Sequence, residues 1–301
     1  MSLKSRLSSK VPIVLDGALG TLLPEEAQSH SLWSTHTVIT SPSIIQNIHQ
    51  QYIENGAQLI QTSTYQSSDH PSLQTEFNID YEQVLLKSID LADQARGDRK
   101  DVWIVGSIGP YGASLANGAE YTGDYGDIKS SNLVEFHKER LEMLCKDNRV
   151  DLIGLETMPN INEIKILIEL MQGYDKDYYL SLSINGDTLA DGTKVESLKE
   201  LVDGNPKLLA IGVNCLPLKE SLTWLNELQI LGKDLIVYPN SGEVYDAVNK
   251  KWNNHPNGTL TWNEYVQELQ KLKNVKIIGG CCRTTPNDIK QIFEAIKRNY
   301  E

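Results

Sequence analysis

Residues 11–20 read Val-Pro-Ile-Val-Leu-Asp-Gly-Ala-Leu-Gly, an apolar run from Val11 to Asp16 that breaks into a small-residue turn. In an open, doubly wound sheet the first strand is typically followed by a G-x-G-x-x-G phosphate turn. The glycines here, at positions 17 and 20, lack that spacing. Seven similar runs follow: Gln58 to Thr64, Val102 to Ser107, Asp151 to Glu156, Tyr178 to Ile184, Leu208 to Asn214, Asp234 to Tyr238 and Val275 to Gly279. Short runs rich in Val, Ile and Leu read as strands buried on both faces. A segment with helical spacing follows each, and such alternation implies parallel strands joined by right-handed crossovers. Eight repeats in 301 residues match a closed barrel. The expected fold is α/β, a single (β/α)8 TIM barrel over residues 1–301, with 1–10 as a flexible N-terminal segment. No Pro/Gly/Ser-rich linker, low-complexity tract or composition break divides the chain.

The helices carry their own punctuation. Ser41-Pro42 offers an N-cap and an N1 proline before the face Ile44, Ile45, Ile48 and Tyr52, and Asn55-Gly56 closes it. Asn160 with Glu163 reads as a capping box, with Gly173 as the stop. Thr285-Pro286 opens the last helix.

Composition sets limits on function. A net charge of −12 gives no general attraction to polyphosphate or anionic lipid, so nucleic acid is not an expected partner. No apolar run approaches the ~20 residues needed to span a bilayer. The N-terminal MSLKSRLSSK is basic and Ser-rich but lacks a secretory h-region and the repeat of a transit peptide. Four cysteines, two of them adjacent, are too few for a disulfide scaffold. A reducing compartment is expected, with a cytoplasmic location.

In a barrel of this kind the active site lies at the C-terminal ends of the strands. The sixth run ends in Asn214-Cys215 and the eighth in Gly279-Gly280-Cys281-Cys282-Arg283, so three of the four cysteines fall on one face. A lone cysteine behaves as a small buried hydrophobe, the reading given to Cys145 in its helical stretch. Three converging thiolates suit Zn2+, and three protein ligands with an open position characterise catalytic zinc. Gly279 and Gly280 are expected to let the backbone turn so that both neighbouring cysteines face the metal. None of the histidines, at 30, 36, 49, 70, 137 and 255, falls at a strand end, and structural or solvated roles are expected for them. An all-sulfur site suits activating a thiol more than activating water. Asp16 and Glu156 end the first and fourth runs, where paired carboxylates act as acid and base or bind an ammonium group. Beside such a metal the ammonium of an amino acid is the more coherent ligand, with backbone N–H groups of the 16–20 turn for its carboxylate.

These residues resemble the homocysteine S-methyltransferase family along nearly the whole chain. The motifs occur in the family's order: Asp-Gly-Ala-Leu-Gly-Thr at 16–21, Leu-Trp-Ser at 32–34, Thr-Tyr-Gln at 64–66, Gly-Ser-Ile-Gly-Pro at 106–110 and Glu-Tyr-Thr-Gly-Asp-Tyr at 120–125. Glu-Thr-Met-Pro-Asn at 156–160, Gly-Val-Asn-Cys at 212–215, Tyr-Pro-Asn-Ser-Gly-Glu at 238–243 and Gly-Gly-Cys-Cys-Arg at 279–283 complete the series. Ala18 stands where many members have a second glycine. The resemblance implies zinc on Cys215, Cys281 and Cys282, and substrate contacts from Asp16, Gly17, Ala18, Glu156 and Asn214. It implies methionine biosynthesis by transfer to homocysteine, whose thiolate attacks the methyl of a sulfonium donor. S-Methylmethionine is the donor favoured, with S-adenosylmethionine an alternative. Tyr65, Tyr121 and Tyr125 are offered as aromatic faces for the cation. Betaine donors fit a longer family type, and a closed structural zinc site would need a fourth ligand. Oligomeric state is left open.

Overall fold

Alternate residues of each apolar run face opposite ways, as strand geometry requires. Ile13 and Leu15 point into the barrel with Leu59, Trp103, Val105, Leu152, Tyr179, Ile236 and Ile277, whereas Val14, Ile60, Ile104, Ile153 and Leu180 face the helices. The computed structural model, which describes residues 2–246, 251–254 and 260–300, forms all eight runs into strands. They are β1 (Ile13–Val14), β2 (Leu59–Gln61), β3 (Trp103–Ile108), β4 (Leu152–Met158), β5 (Tyr178–Leu182), β6 (Leu208–Asn214), β7 (Asp234–Tyr238) and β8 (Val275–Ile278). Seven parallel pairings link β2 through β8 and back to β1. The ring closes at a parallel bridge between Leu15 and Leu59, with Asp16 N donating to Leu59 O at 2.9 Å.

The major outer helices are α1 (Pro42–Glu54), α2 (Tyr81–Arg96), α3 (Ser130–Lys146), α4 (Ile161–Gln172), α5 (Leu218–Leu228), α6 (Trp262–Gln270) and α7 (Pro286–Tyr300). Between β5 and β6 their place is taken by two short turns, Val195–Leu198 and Lys199–Val202. Pro42 occupies the N1 region of α1, but the Ser41 side chain makes no cap bond.

Within the N-terminal segment, expected from the sequence to be flexible over 1–10, the chain forms a short helix at Leu3–Leu7. Leu3 and Leu7 bury themselves in the cluster that fills the barrel. Arg6 secures the segment by donating to Val11 O, Pro12 O and the Gln58 side chain. Lys4 pairs with Asp177, just before β5, so this helix covers the barrel's N-terminal end, opposite the expected site.

Candidate active site

The turn after β8 carries Cys281 and Cys282, and Cys215 is the first residue beyond β6. Their three sulfurs all lie within 4.8 Å of one another. Cys215 Sγ is 3.6 Å from Cys282 Sγ, and Cys215 and Cys281 are paired as a disulfide with Cα atoms 5.4 Å apart. That pairing and metal ligation are alternative fates of the same sulfurs, and only the reduced thiolates can hold a cation. An all-sulfur triad with one side open is a donor set that fits a metal such as zinc. Burial pushes the Cys282 thiol up to about 11, with the negative charge of Glu120 adding to the effect.

Gly279 and Gly280 serve this turn differently from the expectation. Neither has a positive φ. A Cβ on Gly279 would meet Leu15 Cβ at 2.7 Å, and one on Gly280 would meet the Thr284 side chain at 2.6 Å. Their role is close approach. The left-handed conformations fall on Cys215 (φ 58) and Arg283 (φ 67). Thr284 ties the turn to β1 by donating through Oγ1 to Cys281 O at 2.6 Å and accepting from Ala18 N at 3.1 Å.

Asp16 and Glu156 are buried at 3% and 5% exposure. They meet through Gln61, a residue the sequence reading did not single out. Its backbone N donates to Asp16 Oδ2 at 2.9 Å and its Nε2 to Glu156 Oε2 at 2.5 Å. The other oxygens, Asp16 Oδ1 and Glu156 Oε1, are buried without a partner. Burial raises the Asp16 pKa well above the usual carboxylate range, with the charge of Glu156 contributing. Burial likewise pushes Glu156 up to about 7. Two orphaned acceptors that resist ionisation alone would gain by receiving a cationic donor.

A bulge aims Glu156. Between Leu155 and Met158 strand β4 carries one residue more than β5, and Thr157 takes φ 56, a strained value for a β-branched residue. Asn214 absorbs the irregularity. Its Oδ1 accepts from Thr157 N and Ser181 Oγ, and its Nδ2 donates to Thr157 Oγ1 at 2.8 Å and towards Cys281 Sγ at 3.8 Å. Both amide groups of Asn214 are thus engaged, with the carboxylate strand and with a cysteine. In the 16–20 turn, Asp16 N and Ala18 N are likewise committed, to Leu59 O and Thr284 Oγ1. Gly17, Leu19 and Gly20 remain as candidates for an anion. Gly17 has Tyr52 and Thr284 within 2.8 Å of where a Cβ would stand.

Of the three tyrosines, Tyr121 brings its hydroxyl 4.0 Å from Cys215 Sγ and is 47% exposed. Tyr65 lies where it feels the charges of both Glu120 and Glu156. Tyr125 turns away, donating to Glu163 at 2.5 Å. Of the histidines, His49 and His137 are buried in helices, and His255 lies outside the described residues.

The family model described as homocysteine S-methyltransferase matches residues 13–296. The homocysteine S-methyltransferase of Escherichia coli is 36% identical, the match covering 95% of this chain and 96% of the relative. The selenocysteine methyltransferase of Astragalus bisulcatus is 31% identical over 94% and 92% of the two chains. The crystal structure of the metallated form of an Escherichia coli homocysteine methyltransferase superposes with a TM-score of 0.82 at 32% identity, covering 97% of this chain and 99% of that one.

Proposed function

Because the chain belongs to the homocysteine S-methyltransferase family, we propose that it makes methionine by transferring a methyl group from a sulfonium donor, S-methylmethionine by preference, to homocysteine. The observation that carries this reading is a cluster of three cysteine sulfurs and a pair of buried carboxylates, all from the ends of strands on one face of the barrel, each carboxylate keeping one unpartnered oxygen. Cys215, Cys281 and Cys282 are assigned to hold zinc. Zinc bound there supplies a Lewis-acidic centre that keeps the homocysteine thiol ionised at neutral pH.

The chain's own residues do the rest by placement. Asp16 Oδ1 and Glu156 Oε1 receive the α-ammonium, and Gln61 holds the two carboxylates in register. N–H groups at the 17–20 turn receive the α-carboxylate. Asn214 fixes the orientation of Cys281 and of the bulge that carries Glu156. Holding nucleophile and methyl in line supplies much of the acceleration, and no general base need touch the methyl. A reducing compartment such as the cytoplasm keeps Cys215 and Cys281 available as thiolates. Among the described residues no helix is long and apolar enough to cross a membrane.

The test is methionine formation by the purified, zinc-loaded protein with homocysteine and S-methylmethionine, S-adenosylmethionine or betaine. S-Methylmethionine should be the best donor. Cys215→Ser, Cys281→Ser and Cys282→Ser should each lose zinc and transfer, while Cys145→Ser keeps both. Full zinc occupancy and activity in any one of the three would remove that cysteine from the site.

A further inference from the structure

Asp16 and Glu156 account for the ammonium of homocysteine, yet a third buried carboxylate oxygen lies nearby. Glu120 Oε2 is buried without a hydrogen-bond partner. Glu120 belongs to a single turn, Ala119–Tyr121, in the loop after β3. The next residue is Tyr121, whose hydroxyl stands 4.0 Å from Cys215 Sγ. The charge of Glu120 is also felt by Tyr65, alongside that of Tyr121.

The turn is firmly held. Tyr121 N donates to Gly118 O at 2.9 Å and Gly123 N to Ala119 O at 2.8 Å. Below it, Gly112 comes so close that a Cβ would lie 2.8 Å from Glu120 N. A carboxylate oxygen kept dry and unpaired is costly unless a ligand compensates it. The Asp16–Glu156 pair is joined separately through Gln61.

We propose that Glu120 is a specificity-determining residue for the methyl donor, its carboxylate facing the positively charged sulfur while Tyr65 and Tyr121 flank it. The inference rests on the sulfonium-donor reading above. In the transfer, the thiolate lone pair of homocysteine forms the new C–S bond and the methyl–sulfonium C–S bond breaks. The electron pair of the broken bond returns to the donor sulfur, which becomes a neutral thioether. The attraction of Glu120 for the donor is therefore greatest in the ground state and fades as the charge is neutralised. An interaction of that kind sets donor binding and does not lower the chemical barrier. It also favours departure of the demethylated product, which no longer carries the sulfonium charge.

The experiment compares the zinc-loaded parent with Glu120→Gln and Glu120→Asp. Glu120→Gln should raise the KM for S-methylmethionine about tenfold, the scale of one lost charge-assisted contact. Its kcat at saturation should not fall, and zinc content and homocysteine affinity should match the parent. Glu120→Asp, which keeps the charge on a shorter stem, should recover part of the loss. Methyl iodide, a neutral donor, should methylate bound homocysteine equally fast in all three. An unchanged KM for S-methylmethionine in Glu120→Gln overturns the inference. So does an equal loss with methyl iodide, which would assign Glu120 to the thiolate or the metal. If the parent itself uses no sulfonium donor, the underlying reading falls and this inference with it; a parent active with S-methylmethionine isolates the role of Glu120.

Discussion

Glu156 is nearly dry, and its pKa, pushed by burial to about 7, makes it a sensor of what binds beside it. In the free protein it carries a proton below that value, whereas an ammonium ligand favours its ionised form. Binding an amino acid at about pH 6 should therefore release a proton, and affinity should fall by up to about tenfold per pH unit as pH drops below 7. Methionine is the probe to use, because it has no thiol proton of its own to lose. Calorimetry in buffers of different ionisation enthalpy reads the release directly, and Glu156→Gln should remove the part that belongs to Glu156, leaving only what Asp16 contributes. Proton-neutral binding by the parent would remove Glu156 from the ammonium site. Asp16, Glu156 and the three cysteines were legible in the sequence because each stands at the end of an apolar run. Gln61 was not, since a glutamine within a strand reads equally well as a solvent-facing residue. Glu120 stands within the 120–125 motif, but its unpartnered oxygen exists only once the loop after β3 has folded.

Some elements were read correctly for an incomplete reason. Asn160 does cap α4, accepting from the N–H groups of Asn162 and Glu163. Glu163, expected to complete a capping box, instead lies fully buried among other groups. Its carboxylate accepts from Tyr111 N at 2.6 Å, His137 Nε2 at 2.7 Å and Tyr125 Oη at 2.5 Å. Arg140 donates to His137 Nδ1, so the imidazole, kept neutral by burial, carries its proton on Nε2. Arg140 also donates to Tyr65 O, Ser67 O and Gly109 O, clamping the loops after β2 and β3. Local spacing could not reveal a network assembled from three crossovers, and the β4 bulge was equally hidden, because one extra residue leaves a strand's composition unchanged. Glu163→Gln removes the only carboxylate in this chain of contacts and leaves Arg140 buried beside a neutral neighbour. Breaking a buried ionic arrangement from one side costs about 3 to 5 kcal/mol, so urea denaturation should show a loss of that order. A loss below about 1 kcal/mol would mean that the network adds little to stability.

At the scale of the molecule, parallel pairing followed from the alternation, and closure into a barrel from eight repeats in a chain of this length together with the missing phosphate turn. What escaped was the N-terminal end of the barrel. MSLKSRLSSK looks polar as a string, yet Leu3 and Leu7 share one helical face and fill the cavity that eight strands leave beneath them. Leu7→Ala should lower unfolding stability by about 2 kcal/mol, the lower end of the range for emptying a core site. Zinc content and the KM values for both substrates should be unchanged, since the site lies at the opposite end. A change in either KM without loss of stability would mean that the two ends communicate. The opposite end has a different character. Thr157, Cys215 and Arg283 hold backbone angles that L-residues avoid, and all three lie where the carboxylates and sulfurs meet. Were this sequence allowed to drift under selection for heat resistance alone, those positions would be among the first to relax towards glycine or asparagine, yielding sturdier proteins with a blunted reactive face. Holding such angles beside the reactive groups costs stability that a glycine would recover.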